Sequence, residues 1–167
     1  MAAKGNEALS NEERLRAAIG PRADYYLRRW REMDERRCVT SWNWAACFAG
    51  AYWLVFRKMW LALALFILAN IAVSALGAAV PGLGRYTPAL LVLLTFLTGG
   101  YGNYFYRRRI EKLVASGAEP EQLAKRGGTS PLALIVALAL SGALAAVAAK
   151  PLLRQIEAER AARLHSA

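Results

Sequence analysis

The sequence predicts an all-α protein: an integral membrane helical bundle with about three transmembrane helices, a Trp-rich re-entrant or interfacial helix and cytosolic N-terminal helices. Apolar residues, 56% of the chain, are gathered into long runs instead of recurring periodically. Between Glu35 and Glu111 there is no acidic residue, which is typical of a segment that lies in lipid. The formal net charge is +10, and the basic residues flank the apolar runs, where anionic lipid headgroups would attract them.

Residues 1–37 are predicted to form a cytosolic helical region. The sequence Ser-Asn-Glu-Glu at 10–13 is a capping box that begins a helix, and Gly-Pro at 20–21 ends it. A second helix carries a narrow apolar stripe at i, i+4 and i+7 spacing among charged residues. The stripe consists of Tyr26, Trp30 and Met33. Such a stripe suits either a membrane surface or packing against another part of the chain, and the pattern leaves both open.

The segment SWNWAACFAGAYWLVFRKMW, residues 41–60, holds four of the five tryptophans. A helix over 42–56 would extend about 22 Å, which is less than the hydrocarbon thickness of a bilayer. Arg57 and Lys58 follow it, and the segment has no charged face to meet water as a surface helix needs. We therefore predict a helix over 42–56 that enters the membrane from the cytosolic side without crossing it, with its tryptophans at the interface.

Two apolar runs form a predicted transmembrane hairpin. Residues 59–80 carry no charge and are long enough to cross roughly 30 Å of hydrocarbon. The loop PGLGRYTP, residues 81–88, turns the chain back into a second span over 89–106. A Tyr/Phe cluster and three arginines end this span, and a polar cytosolic connector follows over 107–130.

Aromatic and basic residues at the ends of these segments are predicted to anchor the protein at the membrane interface, because aromatic rings and long cations favour the headgroup level. The predicted anchors are Trp30, Trp42, Trp44, Trp53, Arg57, Lys58, Trp60, Tyr104, Tyr106, Arg107, Arg108 and Arg109. The expected partners at these positions are membrane lipids with anionic headgroups.

A third span is predicted over residues 131–149, which are apolar or small up to Lys150. Ser141, Ala145 and Ala149 repeat at four-residue spacing, a pattern that lets a neighbouring helix approach closely. This span is therefore expected to pack against the hairpin or a second copy of the chain. The tail over 150–167 is predicted to be a short amphipathic helix.

Polar and small residues inside the spans are predicted to serve helix packing. Asn70 and Ser74 lie one turn apart on the first span, and Thr95 and Thr98 lie at similar depth on the second, which favours hydrogen bonds between the spans. The run TGGYGN, residues 98–103, resembles a potassium-channel filter. Its position at the end of a full-length apolar run instead favours a close helix crossing. The glycines concerned are Gly99, Gly100 and Gly102.

The residues favour a non-enzymatic packing, accessory or assembly component over an enzyme. The single histidine, His165, is three residues from the end, and neither cysteine, Cys38 or Cys47, has metal-site spacing. No catalytic, cofactor or metal-binding residues are predicted, and no nucleic-acid motif is present. A homo-oligomer or a larger membrane complex is the expected assembly. A small ion channel or solute transporter is the alternative, disfavoured because no charged residue lies within the spans.

The charge distribution predicts a cytosolic amino terminus. Residues 1–58 carry eleven Lys and Arg, the connector carries six, and the loop between the first two spans carries only Arg85. Three spans would place the carboxyl terminus in the periplasm. The alternative is a re-entrant third segment, which would leave both termini inside.

Four stretches together resemble a bacterial membrane family known as domain of unknown function 2628. They are YYLRRW from Tyr25, SWNWAACFAGAYWLVFRKMW from Ser41, YGNYFYRRRIEK from Tyr101 and GGTS from Gly127. The likeness covers roughly residues 25–130 and departs from the usual pattern at Cys47 and Ala51. The resemblance implies a small multi-span protein of the bacterial cytoplasmic (inner) membrane and no particular activity.

Overall fold

A computed structural model describes residues 10–165, apart from the side chains at 152–153 and 157–165. Over this range the chain forms helices and connecting turns without a strand, which confirms the all-α prediction. The chain divides into two units, Met1–Pro131 and Leu132–Ala167. Residues 1–9 of the predicted cytosolic region and residues 166–167 of the predicted tail lie outside the described part.

The first unit contains seven α-helices within its described residues, together with a 3₁₀ turn at Gly84–Tyr86. They are α1 (Asn11–Ile19), α2 (Ala23–Glu35), α3 (Trp44–Ala49), α4 (Ala51–Phe56), α5 (Trp60–Ala79), α6 (Thr87–Ala115) and α7 (Pro120–Arg126). The capping box of α1 forms as predicted: Ser10 Oγ accepts from the Glu13 N–H, and the Glu13 carboxylate accepts from the Ser10 N–H. Gly20, at φ 79°, ends this helix as predicted.

The apolar stripe of α2 packs inside the protein. Tyr26, Trp30 and Met33 are all buried, and they meet the second half of α6 through Tyr106 and Ile110. The structure thereby decides between the two alternatives for this stripe in favour of packing within the chain. Helices α1, α4 and α7 complete this core with their own buried residues.

Helices α5 and α6 form the predicted hairpin, joined by the tight turn that contains Gly84–Tyr86. Helix α5 is 20 residues long, and none of its residues is buried. Among the described residues, two stretches are long and apolar enough to cross a membrane: Trp60–Ala79, and Pro120–Ile156, whose apolar part belongs to the last helix. The span predicted over 89–106 is not among them, because the glycines, tyrosines and asparagine of its second half lower its mean hydropathy.

Helix α6 continues beyond the predicted end of the second span. The predicted polar connector begins at 107, but the helix runs to Ala115 and Gly117 follows with φ 73°. The predicted connector is therefore helical at its start, and its cytosolic location stays a prediction. The helix persists because Ile110 and Val114 extend its buried face and Arg107 pairs with Glu111 one turn later. Pro120 begins α7, as predicted.

The second unit consists of the helix α8 (Pro131–His165). It begins at the predicted third span but runs through Pro151, so the predicted break between span and tail helix is absent. A proline inside a helix removes one backbone hydrogen bond. The alanines and leucines around it are strong helix formers and carry the helix past it.

Candidate functional site

The sequence Ser-Trp-Asn-Trp at 41–44 runs along the glycine-rich part of α6. The N–H of Ser41 donates to the Gly100 carbonyl at 3.0 Å, and the N–H of Asn43 donates to the Gly99 carbonyl at 2.9 Å. A backbone can approach a helix this closely only where side chains are missing. Ser41 and Asn43, whose backbone N–H groups bond to α6, alternate with two tryptophans whose N–H groups do not. This alternation accounts for the order of polar and aromatic residues in the motif.

Two of the three glycines predicted to serve packing lie under α3 and α4. A Cβ at Gly99 would lie 2.7 Å from the Cβ of Cys47, and a Cβ at Gly102 would lie 3.0 Å from that of Ala46. At Gly100 a Cβ would meet open space, so this glycine is not needed for close packing. All three lie within the continuous helix α6, and TGGYGN therefore forms a helix crossing instead of a filter loop.

A buried pair of asparagines connects α3 to α6. The amide of Asn43 donates to Asn103 Oδ1 at 2.8 Å, and its own Oδ1 caps α3 by accepting from the Ala46 N–H at 3.0 Å. The amide nitrogen of Asn103 reaches Ser41 Oγ at 3.2 Å and the Ser41 carbonyl at 3.3 Å. Both asparagines are thus hydrogen-bonded, as buried amides require. Sequence reasoning missed them because neither has a partner nearby in the chain.

The Trp-rich segment is two short helices instead of the single helix predicted over 42–56. Gly50, at φ 43°, separates α3 from α4 in a conformation that side-chain-bearing residues rarely adopt. The turn lets the faces of both helices reach α6. Trp53 of α4 is consequently buried, with its ring centroid 6.2 Å from that of Tyr106.

Aromatic side chains of this segment also point away from the core. Trp44 is 63% exposed and Phe48 is 80% exposed, and their rings stack at 5.5 Å with an interplanar angle of 11°. The ring of Trp42 lies 5.2 Å from Trp44 and 5.7 Å from Phe96 of α6. We call the four residues Trp42, Trp44, Phe48 and Phe96 the aromatic face. Such a face in water would be unfavourable for a monomer.

Arg57 occupies the centre of the helical core. It is only 2% exposed, and its guanidinium carbon lies 4.5 Å from the centroid of the Tyr26 ring and 5.0 Å from that of Tyr106. Its Nη1 donates to the Tyr106 hydroxyl at 3.3 Å. Within the described residues no carboxylate pairs with it. Aromatic faces thus supply the negative potential around this cation, an interaction worth about 2 kcal/mol or more when it is desolvated.

Burial corrects four of the predicted interface anchors. Trp30, Trp53, Arg57 and Tyr106 lie in the protein core and have no surface to offer a bilayer. The prediction assumed that Trp, Tyr and Arg beside apolar runs face headgroups, whereas here they face one another between α2, the end of α4 and α6. In the sequence, Arg57 and Lys58 are adjacent basic residues, and no local pattern shows that Arg57 is buried whereas Lys58 is partly exposed.

The other anchors retain surface. Trp60 is exposed, and partly exposed or exposed positions are also held by Trp42, Trp44, Lys58, Tyr104, Arg107, Arg108 and Arg109. Their place at a membrane interface stays a prediction. Arg107 bonds to Asp34 at 2.6 Å and to Glu111 at 2.7 Å, and these carboxylates raise the pKa of its guanidinium, Asp34 most.

Two cations hold the end of α7. Lys58 Nζ donates to the Lys125 carbonyl at 2.8 Å, and Arg109 Nη2 donates to the Arg126 carbonyl at 2.9 Å. Burial lowers the pKa of Lys58, with a further contribution from the positive charge of Arg109. Burial likewise lowers the pKa of Arg109. The two cations are therefore close enough to repel each other.

The predicted hydrogen bonds between the spans are not formed by three of the four polar residues. Asn70 donates to the Phe66 carbonyl, Thr95 to Val92 and Thr98 to Leu94, each within its own helix. In apolar surroundings the nearest acceptor is the carbonyl one turn back, and these side chains reach it without a partner helix. Packing through Ser74 stays a prediction, as does packing through the α8 residues Ser141, Ala145 and Ala149.

The part of the chain that the structure describes contains no cluster of side chains that could hold a metal ion. No three His, Cys, Asp or Glu residues come together there. Both Cys38 and Cys47 are free thiols, the first exposed and the second buried beside Gly99. The side chain of His165 lies outside the described residues.

From Ser10 to His165 the protein is all-helical, and two stretches of that range are apolar enough to cross a membrane. The chain belongs to a family described as proteins of unknown function, DUF2628, whose sequence profile matches residues 8–112. The predicted resemblance is thereby confirmed, although the match begins before Tyr25 and ends before the GGTS stretch at Gly127. No curated protein matches the chain, and no solved structure matches it.

Proposed function

We propose that this protein is a non-enzymatic component of the bacterial cytoplasmic membrane that acts by packing against itself or against a partner complex. The observation that carries the proposal is the exposure of α5. Its 20 residues lack any charge, and none of them is buried by the rest of the structure. A monomer in water rarely exposes a continuous apolar surface of this extent, whereas lipid covers it at no loss.

The distribution of polar packing supports the same location. The core built around Arg57 and the paired arginine Arg107 lies at the end of the α5–α6 hairpin where the basic residues gather. The opposite end of the hairpin carries only Arg85. By the positive-inside rule the first end faces the cytosol, and three spans then place the carboxyl terminus in the periplasm.

The contacts of the α3–α4 turn support partial insertion. Gly50 lies against the ring of Phe66, with 3.4 Å from a Cβ built on Gly50 to that ring. Phe66 is six residues into α5, which corresponds to a depth of about 9 Å from Trp60. The aromatic face would then contact acyl chains close to the headgroups, where tryptophan is favourable.

Helix α8 supplies the proposed surface for assembly. Ser141, Ala145 and Ala149 form a stripe on a helix otherwise rich in leucine, valine and isoleucine. Small residues at this spacing permit close helix contact, which in lipid is the main source of association energy. Homo-oligomers and larger membrane complexes both fit this surface.

Purification from membranes in a gentle detergent tests the proposal. We expect the complex to retain a stoichiometric partner or a second copy, and Ala145→Leu to weaken that association. Ala143→Leu, which adds the same volume on another face of α8, should not weaken it. Liposomes containing the pure protein that passed ions selectively, with loss on substitution of Gly102, would instead establish the channel alternative.

A further inference from the structure

A groove of about 450 Å³ runs between α5 and α6. Its walls are apolar, formed on α5 by residues between Met59 and Ala69 and on α6 by residues between Leu94 and Phe105. The eleven helical steps from Leu94 to Phe105 correspond to a length of about 16 Å. The groove is therefore long and narrow, and in the membrane location proposed above its side would be open to lipid.

Two cations lie just beyond one end of this groove, next in the chain or on the helix face to residues that line it. Lys58 directly precedes Met59, which lines the groove, and Arg109 lies one turn beyond Phe105 on the same face of α6. Each uses one donor on a backbone carbonyl of α7, although a lysine has three donors and an arginine five. The Nη1 atom of Arg109 is buried and has no partner among the described residues.

Two carboxylates at this end of α6 and α2 are already engaged by another arginine. Asp34 and Glu111 both bond to Arg107, and neither Lys58 nor Arg109 takes part in an ion pair between described residues. Two cations that repel each other and share no carboxylate gain from an anion placed between them. A phosphate group supplies that charge, and its oxygens accept from donors that Lys58 and Arg109 do not use on α7.

We propose that this groove binds one acyl chain of an anionic phospholipid, with the phosphate held by Lys58 and Arg109. The inference rests on the proposed membrane location and names a lipid site within it. The apolar groove takes the chain, and the cations at its end select for the anionic headgroup.

Native mass spectrometry of the full-length protein in a mild detergent tests the site. The protein is incubated with phosphatidylglycerol or phosphatidylcholine of identical chains, and the retained lipid is counted. We expect preferential retention of phosphatidylglycerol, and a roughly fivefold loss of it on Arg109→Gln, the size of one cation's contribution near a membrane. Arg31→Gln removes the same charge from an exposed position of α2 that does not line the groove, and it should leave retention unchanged.

A second pair of variants tests the groove itself. Ala62→Phe fills it and should lower retention of both lipids, whereas Ala64→Phe adds the same ring on an exposed position that does not line it. If Ala62→Phe disturbs folding, Leu97→Trp fills the groove from the α6 wall at an exposed position.

The inference is overturned if Arg109→Gln and Arg31→Gln have equal effects, or if neither filling variant changes lipid retention. If the protein is extracted from membranes and gives either result, the proposed lipid site is wrong while the proposed membrane location is unaffected. Recovery of the protein from the soluble fraction without detergent would overturn the proposed membrane location and the lipid site together.

Discussion

At the residue scale, two adjacent glycines of α6 belong to one motif but have different structural roles. Gly99 lies against Cys47 of α3, so its missing side chain is required for contact. Gly100 faces open space, although its carbonyl accepts from Ser41. Both residues read alike in the sequence, and only the direction of each Cβ separates them.

We predict opposite effects for alanine at these two positions. Gly99→Ala should lower the free energy of unfolding by about 1–3 kcal/mol, because the new methyl group overpacks the contact with Cys47. Gly100→Ala should be neutral or stabilising by up to about 1 kcal/mol, because alanine favours the helix. Thermal unfolding in detergent, followed by circular dichroism, measures both. Equal destabilisation by the two changes would contradict the close approach of α3 to α6.

Arg57 is held by rings, and Tyr106 offers both a ring and a hydroxyl. Tyr106→Phe keeps the ring under the guanidinium and removes one acceptor, so we expect a loss of about 1 kcal/mol of stability. Tyr106→Leu removes the ring as well and should lower stability by about 2–4 kcal/mol. The same thermal measurement compares them. If the two variants were equally stable, the ring would contribute nothing to holding Arg57.

At the element scale, α3 begins where it does because Asn43 performs two tasks. Its side chain caps the helix, and it also bonds to Asn103 across the interface with α6. A helix of six residues has little stability of its own, so its position depends on such contacts. Gly50 then allows α4 to turn and bury Trp53 against the same helix.

We predict that Asn43→Ala destabilises the protein by about 2–4 kcal/mol, the sum of a lost cap and an unsatisfied buried amide. Ser10→Ala serves as the matched control, since Ser10 caps α1 at an exposed position. Its effect should be clearly smaller. Chemical denaturation of both variants in the same detergent measures the difference, and a comparable loss at Ser10 would show that the asparagine pair adds nothing beyond capping.

At the scale of the whole molecule, the two cysteines report on sidedness. Cys38 is exposed, and a hydrogen bond from Thr40 chiefly lowers the pKa of its thiol, aided by the charge of Arg36. Cys47 is buried against α6. We predict that a membrane-impermeant maleimide labels Cys38 in inverted vesicles but not in intact cells, and leaves Cys47 unlabelled. A Cys38→Ser variant supplies the background, and labelling in intact cells would reverse the proposed orientation.

The third span is tested at the same scale by a reporter fused after Ala167. Helix α8 lacks charge up to Lys150 and would expose apolar surface if it lay at an interface. We therefore expect reporter activity only in the periplasm. A reporter fused before Met1 should be active only in the cytosol. Cytosolic activity at both ends would establish the re-entrant alternative for residues 131–149.

The sequence by itself determined the helical class, the capped start of α1, the turn between α5 and α6, and the apolar lengths of α5 and α8, because each is a local property of composition or periodicity. The four stretches quoted above were also enough to indicate the family, whose profile matches residues 8–112. Only the tertiary structure decided that Trp30, Trp53, Arg57 and Tyr106 face one another instead of lipid. Aromatic and cationic residues beside an apolar run are equally suited to headgroups and to a cation–π core. The choice between them depends on contacts from α2 and α6, which lie far apart in the chain, and no local pattern encodes those contacts.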